Sequence, residues 1–422
     1  MRRLPGIILM LVLLPGCSFS SCTNSTENLR KEKGAVSLNR CLKNEMSDFP
    51  AIEKMDKKVG AYMRKWDLKG MQIAVMRNDS LIFSKGYGIA DEDTPMTPGH
   101  IMRIASVSKL VTAAGIMKLV EEGKLSLSDK VFADEGIMPG YKLGSRLYKE
   151  ITVKHLLRHE GGFSRDPMFL PLDNMKLLGL DRPPTNDELI EYTLKRRLRF
   201  RPGSGAYYSN FGYVVLSKII ELRSGKSYEE FIRKEVLEPS GCLDFHIAGN
   251  YYEANLPNQA RQYAHEGEGK FIEEYNGSGK MVERCYGGNN ITALQGAGAW
   301  VASASEVARL IACIDGRGPV EDILSAESVR EMTSFEEKHS FGLGWNTVNP
   351  KVGWTRTGSL AGTSAYIKYY PDGECWVLLS NSSTYRGARQ IRNHNTFIKT
   401  LRDGFSSQLP RQDLFESQTQ KQ

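Results

Sequence analysis

The sequence predicts an α+β fold: one antiparallel sheet built from both chain ends and flanked by helices, with a mostly helical lobe between. Three observations predict it. Strand-like runs occur early, in "MQIAVMRN" and "SLIFSKGYGIAD", and return late, in "SFGLGWNTV", "GWTRTG", "TSAYIKYYPDG" and "ECWVLLSNSS". Between them apolar residues recur mostly at helical spacing. Tight-turn residues, Asn78-Asp79 and Pro371-Asp372-Gly373, join strands within each set, which suits hairpins and an antiparallel sheet.

The elements follow in order. Arg2 and Arg3 precede the apolar stretch Leu4–Leu14, broken by Pro5 and Gly6. This reads as an export signal, too short to span a bilayer. Cys17 follows Gly16, with Leu14 three positions before it, like the end of a bacterial lipoprotein signal. Residues 1–16 are therefore expected to be a signal peptide and Cys17 the lipidated first residue of an exported, membrane-anchored cell-envelope protein, periplasmic or surface-facing. Residues 17–48 are polar, with "SSCTNSTEN" and "RKEKG", and read as a flexible tether. The folded domain is expected over residues 49–402. It opens on a helix, "AIEKMDKKVGAYMRKW", with Ile52, Met55, Val59, Tyr62 and Trp66 on one side.

The helical lobe is expected within about residues 110–330. Its signals are Lys109–Gly123, "ITVKHLLRHE", "NDELIEYTLKRR", "GYVVLSKIIELRSGKSYEEFIRKEVL" and "SASEVARLIACI". The last opens with Ser303 and Glu306 spaced as in a capping box. Residues 403–422 read as a frayed tail.

Composition narrows the function. Of 422 residues, 41% are hydrophobic and 25% charged, ordinary for a folded chain. The net charge is +7 and loses two units with the leader. No basic run with interleaved aromatics occurs, which excludes nucleic acid as a partner. Seven cysteines contain no Cys-x-x-Cys, which excludes zinc ribbons and thioredoxin-like sites. With Cys17 lipidated, six remain, for one or two disulfides or for buried thiols. His155 and His159 stand at i, i+4, but "HLLRH" lacks the glutamate of a zinc-protease motif. They are read as structural, and no metal or cofactor is expected.

The chemistry is expected at Ser106 and Lys109. The helix they open is apolar nearly all round, through Val107, Leu110, Val111, Ile116 and Leu119. A lysine there is costly unless it has a task. A neutral amine three residues from a serine can take its proton and activate it as a nucleophile. Half-neutrality at pH 7 requires a fall of about 3.4 from a free value of about 10.4, roughly 4.6 kcal/mol. Burial alone strains to supply that, so a nearby positive charge is expected to help.

Two further stretches carry matching groups. Tyr208-Ser209-Asn210 lies on a Gly/Ser-rich loop before a helix; the tyrosine is a candidate proton relay and the asparagine a partner for substrate or lysine. Arg356-Thr357-Gly358 leads into a strand, where glycine permits close approach of substrate and the Ser359 N–H is placed to serve an oxyanion hole. Tyr207, Phe211 and Trp345 are candidates for the cleft wall or for core. The turn-rich segments 163–182 and 250–290 are candidates for its rim.

The ordered set Ser-x-x-Lys, Tyr-x-Asn, basic-Thr-Gly resembles the serine β-lactamase/penicillin-binding-protein superfamily, most closely its class C-related serine hydrolases. The resemblance runs from about Ile52 to Ser383 and includes "MRIASVSKLVTAAGIMKLVEEGKLSLSDKV", "YYSNFGYVVLSKIIELRSGKSYEEF" and "RTGSLAGTSAYIKYYPDGECWVLLSN". It implies a β-lactamase/transpeptidase-like fold and a covalent acyl-enzyme on Ser106, formed from a small-molecule or peptide substrate. It implies Lys109 as the activating base and Tyr208 as proton shuttle. Asn210, Arg356, Thr357, Gly358 and Ser359 would contact substrate, the N–H groups of Ser106 and Ser359 forming the oxyanion hole. The family pattern has Lys or His where this chain has Arg356. An arginine cannot act as acid or base near neutral pH. It either lowers the pKa of Lys109 and Tyr208 by its fixed charge or grips a substrate carboxylate. The competing expectation is a weakly active or non-catalytic lipoprotein of the same fold that binds envelope polymers or β-lactams.

Overall fold

In the computed structural model, which describes residues 36–265, 267, 269–383 and 387–418, both chain ends contribute to one sheet. The expected signal peptide and Cys17 lie outside the described residues. The strands are β1 (Gly70–Arg77), β2 (Ser80–Asp91), β3 (Thr94–Pro95), β4 (Met102–Arg103), β5 (His246–Ile247), β6 (Phe271–Glu273), β7 (Met281–Glu283), β8 (Trp300–Ala302), β9 (Thr347–Asn349), β10 (Gly353–Leu360), β11 (Thr363–Tyr369) and β12 (Glu374–Ser380). Seven of them form the main sheet in the order β3-β2-β1-β12-β11-β10-β9, every neighbour antiparallel. The join between the two ends is β1 against β12, with Ile73 opposite Leu378.

Asn78 and Asp79 turn the first hairpin with φ of 46° and 63°, the left-handed pair that fits strand twist. Along β1, Met71, Ile73 and Val75 face one layer and Ala74 and Met76 the other. Both faces are covered, so the strands read as near-continuous apolar runs.

The outer layer is helix α1 (Ile52–Trp66), whose Met55, Val59 and Tyr62 pack with Phe397, Ile398 and Leu401 near the chain end. The inner layer is the helical lobe: α2 (Ser108–Glu121), α3 (Val153–Leu157), α4 (Pro171–Leu178), α5 (Asn186–Leu194), α6 (Asn210–Ser224), α7 (Tyr228–Ile232), α8 (Ala304–Ala312) and α9 (Ala326–Met332). The last helix, α10 (Gly387–Phe405), lies with α1.

The structure corrects several expectations. The tether does not reach residue 48: Leu38 and Leu42, one helical turn apart, enter the core, and Asn39 Nδ2 donates to Asp244 Oδ2 at 3.0 Å. The tail does not begin at 403, because α10 runs to Phe405 and Leu409, Leu414 and Phe415 are buried beyond it. The long helix signal after Tyr208 breaks at Gly225, which caps α6 at φ 71°. "SFGLGWNTV" is strand only over Thr347–Asn349.

Ser303 caps α8 through the Glu306 N–H, but the Glu306 side chain does not return the bond. It is buried and accepts the N–H groups of Leu243 and Asp244, and burial pushes its carboxyl up to about 8. The five described cysteines are buried thiols with no disulfide among them. Phe211 and Trp345 are core, and Tyr207 is a surface residue under the Arg199 guanidinium.

Candidate active site

Three pieces of chain converge on Ser106. The first is its own turn. Ala105, at φ 47°, holds a left-handed conformation that an alanine adopts only under constraint. Its carbonyl accepts the Ser108 hydroxyl at 2.6 Å. The turn then runs into α2, which is buried on all sides, so the apolar helix acts as a rigid post. Ser106 remains partly accessible at its head, while Lys109, one turn on, has no exposed surface.

The second piece is the start of α6. Ser209 caps it by accepting the Gly212 N–H, and Asp166 Oδ2 accepts the Asn210 N–H at 2.5 Å. An acidic group at a helix N-terminus complements the dipole. This fixes Tyr208 and Asn210 beside α2. The third piece is β10. A Cβ at Gly358 would stand 2.4 Å from the Ile104 carbonyl and 3.2 Å from the Ala105 Cβ. The glycine therefore lets the strand approach the turn that carries Ser106, where the sequence suggested approach of substrate.

The groups meet at hydrogen-bond distance. Lys109 Nζ donates to Ser106 Oγ at 3.2 Å, to Asn210 Oδ1 at 2.8 Å and to the Ala297 carbonyl at 2.5 Å. The Tyr208 hydroxyl donates to Ser106 Oγ at 2.7 Å. Arg356 Nε donates to the Ser106 carbonyl at 2.7 Å, and its Nη2 to the Tyr208 oxygen at 3.1 Å. Thr357 donates through both N–H and hydroxyl to Asn346 Oδ1, at 2.7 and 3.0 Å. Ser359 is exposed further along β10. Beyond Thr355 the outer edge of that strand has no strand partner among the described residues, because β9 pairs only with Gly353–Thr355.

Burial lowers Lys109 to about 8; the Arg356 charge adds to the fall and Tyr208 opposes it. The fall stops short of half-neutrality at pH 7. For Tyr208 burial works the other way, raising the phenol, but the charges of Lys109 and Arg356 outweigh it and bring the group to about 8. The two titrate as a pair, and the proton lost near pH 8 belongs to both. Below that pH Ser106 Oγ accepts from two donors. Above it one of them becomes an acceptor for the serine proton.

Some contributing residues carried no legible signal. Ala297 offers only a backbone carbonyl. It is aimed by Gly296, whose N–H reaches Ser217 Oγ at 3.0 Å, and by Gln295, held at φ 40° and ψ −123°. Asp166 and Asn346 are ordinary loop residues in sequence. His159, a structural residue on its sequence spacing, lies with its ring 4.5 Å from that of Tyr208, and its Nδ1 accepts the Ser209 N–H at 3.2 Å. Burial, then the Lys109 and Arg356 charges, holds it well below the usual histidine range, so it is a neutral support.

His155 and His159 do not share a helix face. Helix α3 ends at Leu157, and His159 turns out at φ 60°. Among the described residues, Glu160, Glu336 and His339 bring ligand atoms within 4.8 Å of one another. His339 and Glu160 are already hydrogen-bonded at 2.6 Å, and Glu336 pairs with Arg158. The cavity beside them, lined by Lys154, His155 and Glu336, includes none of Ser106, Lys109 or Tyr208.

Comparison with known proteins follows the same geometry. The Beta-lactamase family model matches residues 55–399. Penicillin-binding protein 4* of Bacillus subtilis (strain 168) is 32% identical over 207 residues, 48% of this chain and 42% of that protein, so the match spans under half of the relative. The octameric penicillin-binding protein homologue from Pyrococcus abyssi superposes with a TM-score of 0.62 at 28% identity, over 79% of this chain and 74% of that one. D-amino acid amidase from Ochrobactrum anthropi SV3 shares the fold, with a TM-score of 0.59 at 21% identity over 79% and 91% of the two chains.

Proposed function

The chain belongs to the beta-lactamase family of penicillin-binding-protein-like serine hydrolases, and we propose that it cleaves an ester or amide through a covalent acyl-enzyme on Ser106. The observation that carries the reading is the double approach to one oxygen: Lys109 Nζ and the Tyr208 hydroxyl both reach Ser106 Oγ, and Arg356 braces both the serine and the tyrosine. Loss of one proton from the Lys109–Tyr208 pair supplies the base. Ser106 Oγ then attacks the substrate carbonyl carbon and its proton passes to the pair. Tyr208 returns a proton to the departing oxygen or nitrogen, which leaves as alcohol or amine. A water gives a proton to the same pair as it attacks the acyl carbon; the bond from that carbon to Ser106 Oγ breaks, the pair returns the proton to Oγ, and the carboxylic acid leaves. The N–H groups of Ser106 and Ser359 are the proposed donors to the oxyanion.

D-amino-acid peptides, peptidoglycan fragments and small esters are the proposed substrates, in that order. The fold shared with a D-amino acid amidase supports the first. Export to the cell envelope, with a lipid on Cys17, is proposed from the leader. Among the described residues no helix is long and apolar enough to cross a membrane.

The test is the intact mass of the mature protein after treatment with a fluorophosphonate, beside Ser106→Ala. One adduct on the parent and none on the folded variant is the expected result. A folded parent that takes no adduct would favour a binding protein of the same fold.

A further inference from the structure

We infer that the cleft accepts esters and amides whose leaving group carries no carboxylate, because the cations beside Ser106 are committed inside the protein; among the proposed substrates this selects esters, amides and internal peptide bonds over release of a C-terminal amino acid. The inference rests on the acyl-enzyme reading above. A carboxylate entering a partly desolvated cleft needs a cation or several N–H donors within reach. Lys109 has three N–H bonds and three acceptors, Ser106 Oγ, Asn210 Oδ1 and the Ala297 carbonyl, so none is left over.

Arg356 is spent in the same way. It stands opposite Ile367 in the β10–β11 register, and directly opposed residues point to the same face. Ile367 is core, so the guanidinium is directed inward, and the residue has no exposed surface. Nε goes to the Ser106 carbonyl and Nη2 to Tyr208. Nη1 has no partner and is sealed from solvent, so it is not presented to an entering group.

The next residue follows suit: both donors of Thr357 end on Asn346 Oδ1. What β10 still offers past the nucleophile is the exposed Ser359, a neutral hydroxyl. When the Lys109–Tyr208 pair has lost its proton, one net positive charge remains in this group, and the Arg356 share of it is sealed from the cleft. The arrangement uses charge to ready the serine and leaves recognition of the leaving group to neutral contacts.

Two acetate esters that differ only by a methyl cap on the carboxyl group separate the possibilities: methyl 3-acetoxybenzoate, which is neutral, and 3-acetoxybenzoate, which bears a carboxylate. Each rate is corrected for the ester's own reactivity toward imidazole, and acetylation of Ser106 is followed by intact mass. The neutral ester is expected to show kcat/KM about tenfold higher or more, the scale of one unpaired charged group. Equal or faster reaction of the anion would overturn the inference. Arg356→Gln is expected to slow both esters together; a loss confined to the anionic ester would show that Arg356 meets the leaving group, and would also overturn it. If neither ester, nor a fluorophosphonate, modifies Ser106, it is the acyl-enzyme reading that fails.

Discussion

At the residue scale the site turns on how one arginine acts on a lysine and a tyrosine. An arginine is neither acid nor base near neutral pH, so Arg356 acts on its neighbours through a fixed positive charge. It adds to the fall that burial gives Lys109 and, behind the Lys109 charge, helps bring Tyr208 down against burial, so each settles near 8. In the proposed mechanism the active form has one proton fewer than the resting form. Acylation is therefore expected to rise about tenfold per pH unit below pH 8 and to level off above it. Arg356→Gln removes the positive charge that both feel, so the midpoint is expected to move to higher pH. A pH profile of kcat/KM with an unmoved midpoint would show that the charge of Arg356 is not what tunes the pair. Lys109→Ala removes one proton acceptor from Ser106 and is expected to slow acylation by roughly two to four orders of magnitude, read by stopped-flow release of an aryl leaving group.

At the element scale, the site exists because three elements are pressed together without room to spare. Gly358 is the contact point of β10 with the nucleophile turn, and Gly344, at φ 83°, lies where a Cβ would come 3.0 Å from the Lys109 carbonyl. Gly358→Ala forces a methyl group toward a backbone oxygen at 2.4 Å, so strand and turn must separate. Thermal denaturation is expected to show a loss of roughly 1–3 kcal/mol. Acylation is expected to fall further than the lost stability explains, since Arg356 moves with the strand. Full acylation in a Gly358→Ala protein of unchanged melting temperature would contradict this contact. The strain at Ala105 and Gln295 belongs to the same picture: each bends the chain where a group must be aimed, at Ser106 and at the Ala297 carbonyl.

At the scale of the whole molecule, buried acids tie stability to pH. Burial pushes Glu306 up to about 8 and Asp315 up to about 7, against roughly 4 in an unfolded chain. The folded state therefore holds more protons than the unfolded state between about pH 4 and 8. Stability is expected to fall as pH rises through that window and to flatten above it. Glu306→Gln keeps an oxygen for the Leu243 and Asp244 N–H groups and removes the titration. Its melting temperature is expected to depend less on pH between 5 and 8 than that of the parent. A parallel pair of curves would place the linkage elsewhere. Because Glu306 lies on α8 against the segment around Ser37 and Asp244, this linkage also reports on the docking of residues 36–48.

The sheet was legible because its strands announce themselves locally: period, β-branched and aromatic residues, and the Asn78-Asp79 and Pro371–Gly373 turns need no knowledge of the rest of the chain. Ser106, Lys109, Tyr208, Asn210 and Arg356 were legible because each stands in a short motif with a turn or helix start around it. The packing of residues 36–48 and 403–418 was not, since a few apolar residues in polar text become buried only when a partner surface exists to receive them. Asp166, His159 and the Ala297 carbonyl were hidden for the same reason, as they act through backbone groups and contacts distant in sequence. The sequence by itself determined the sheet, the family resemblance and the candidate chemical groups, which depend on residue type and short spacing. Only the tertiary structure decided that Arg356 faces inward to Ser106 and Tyr208, because the direction of a side chain depends on strand register and on what lies across the core.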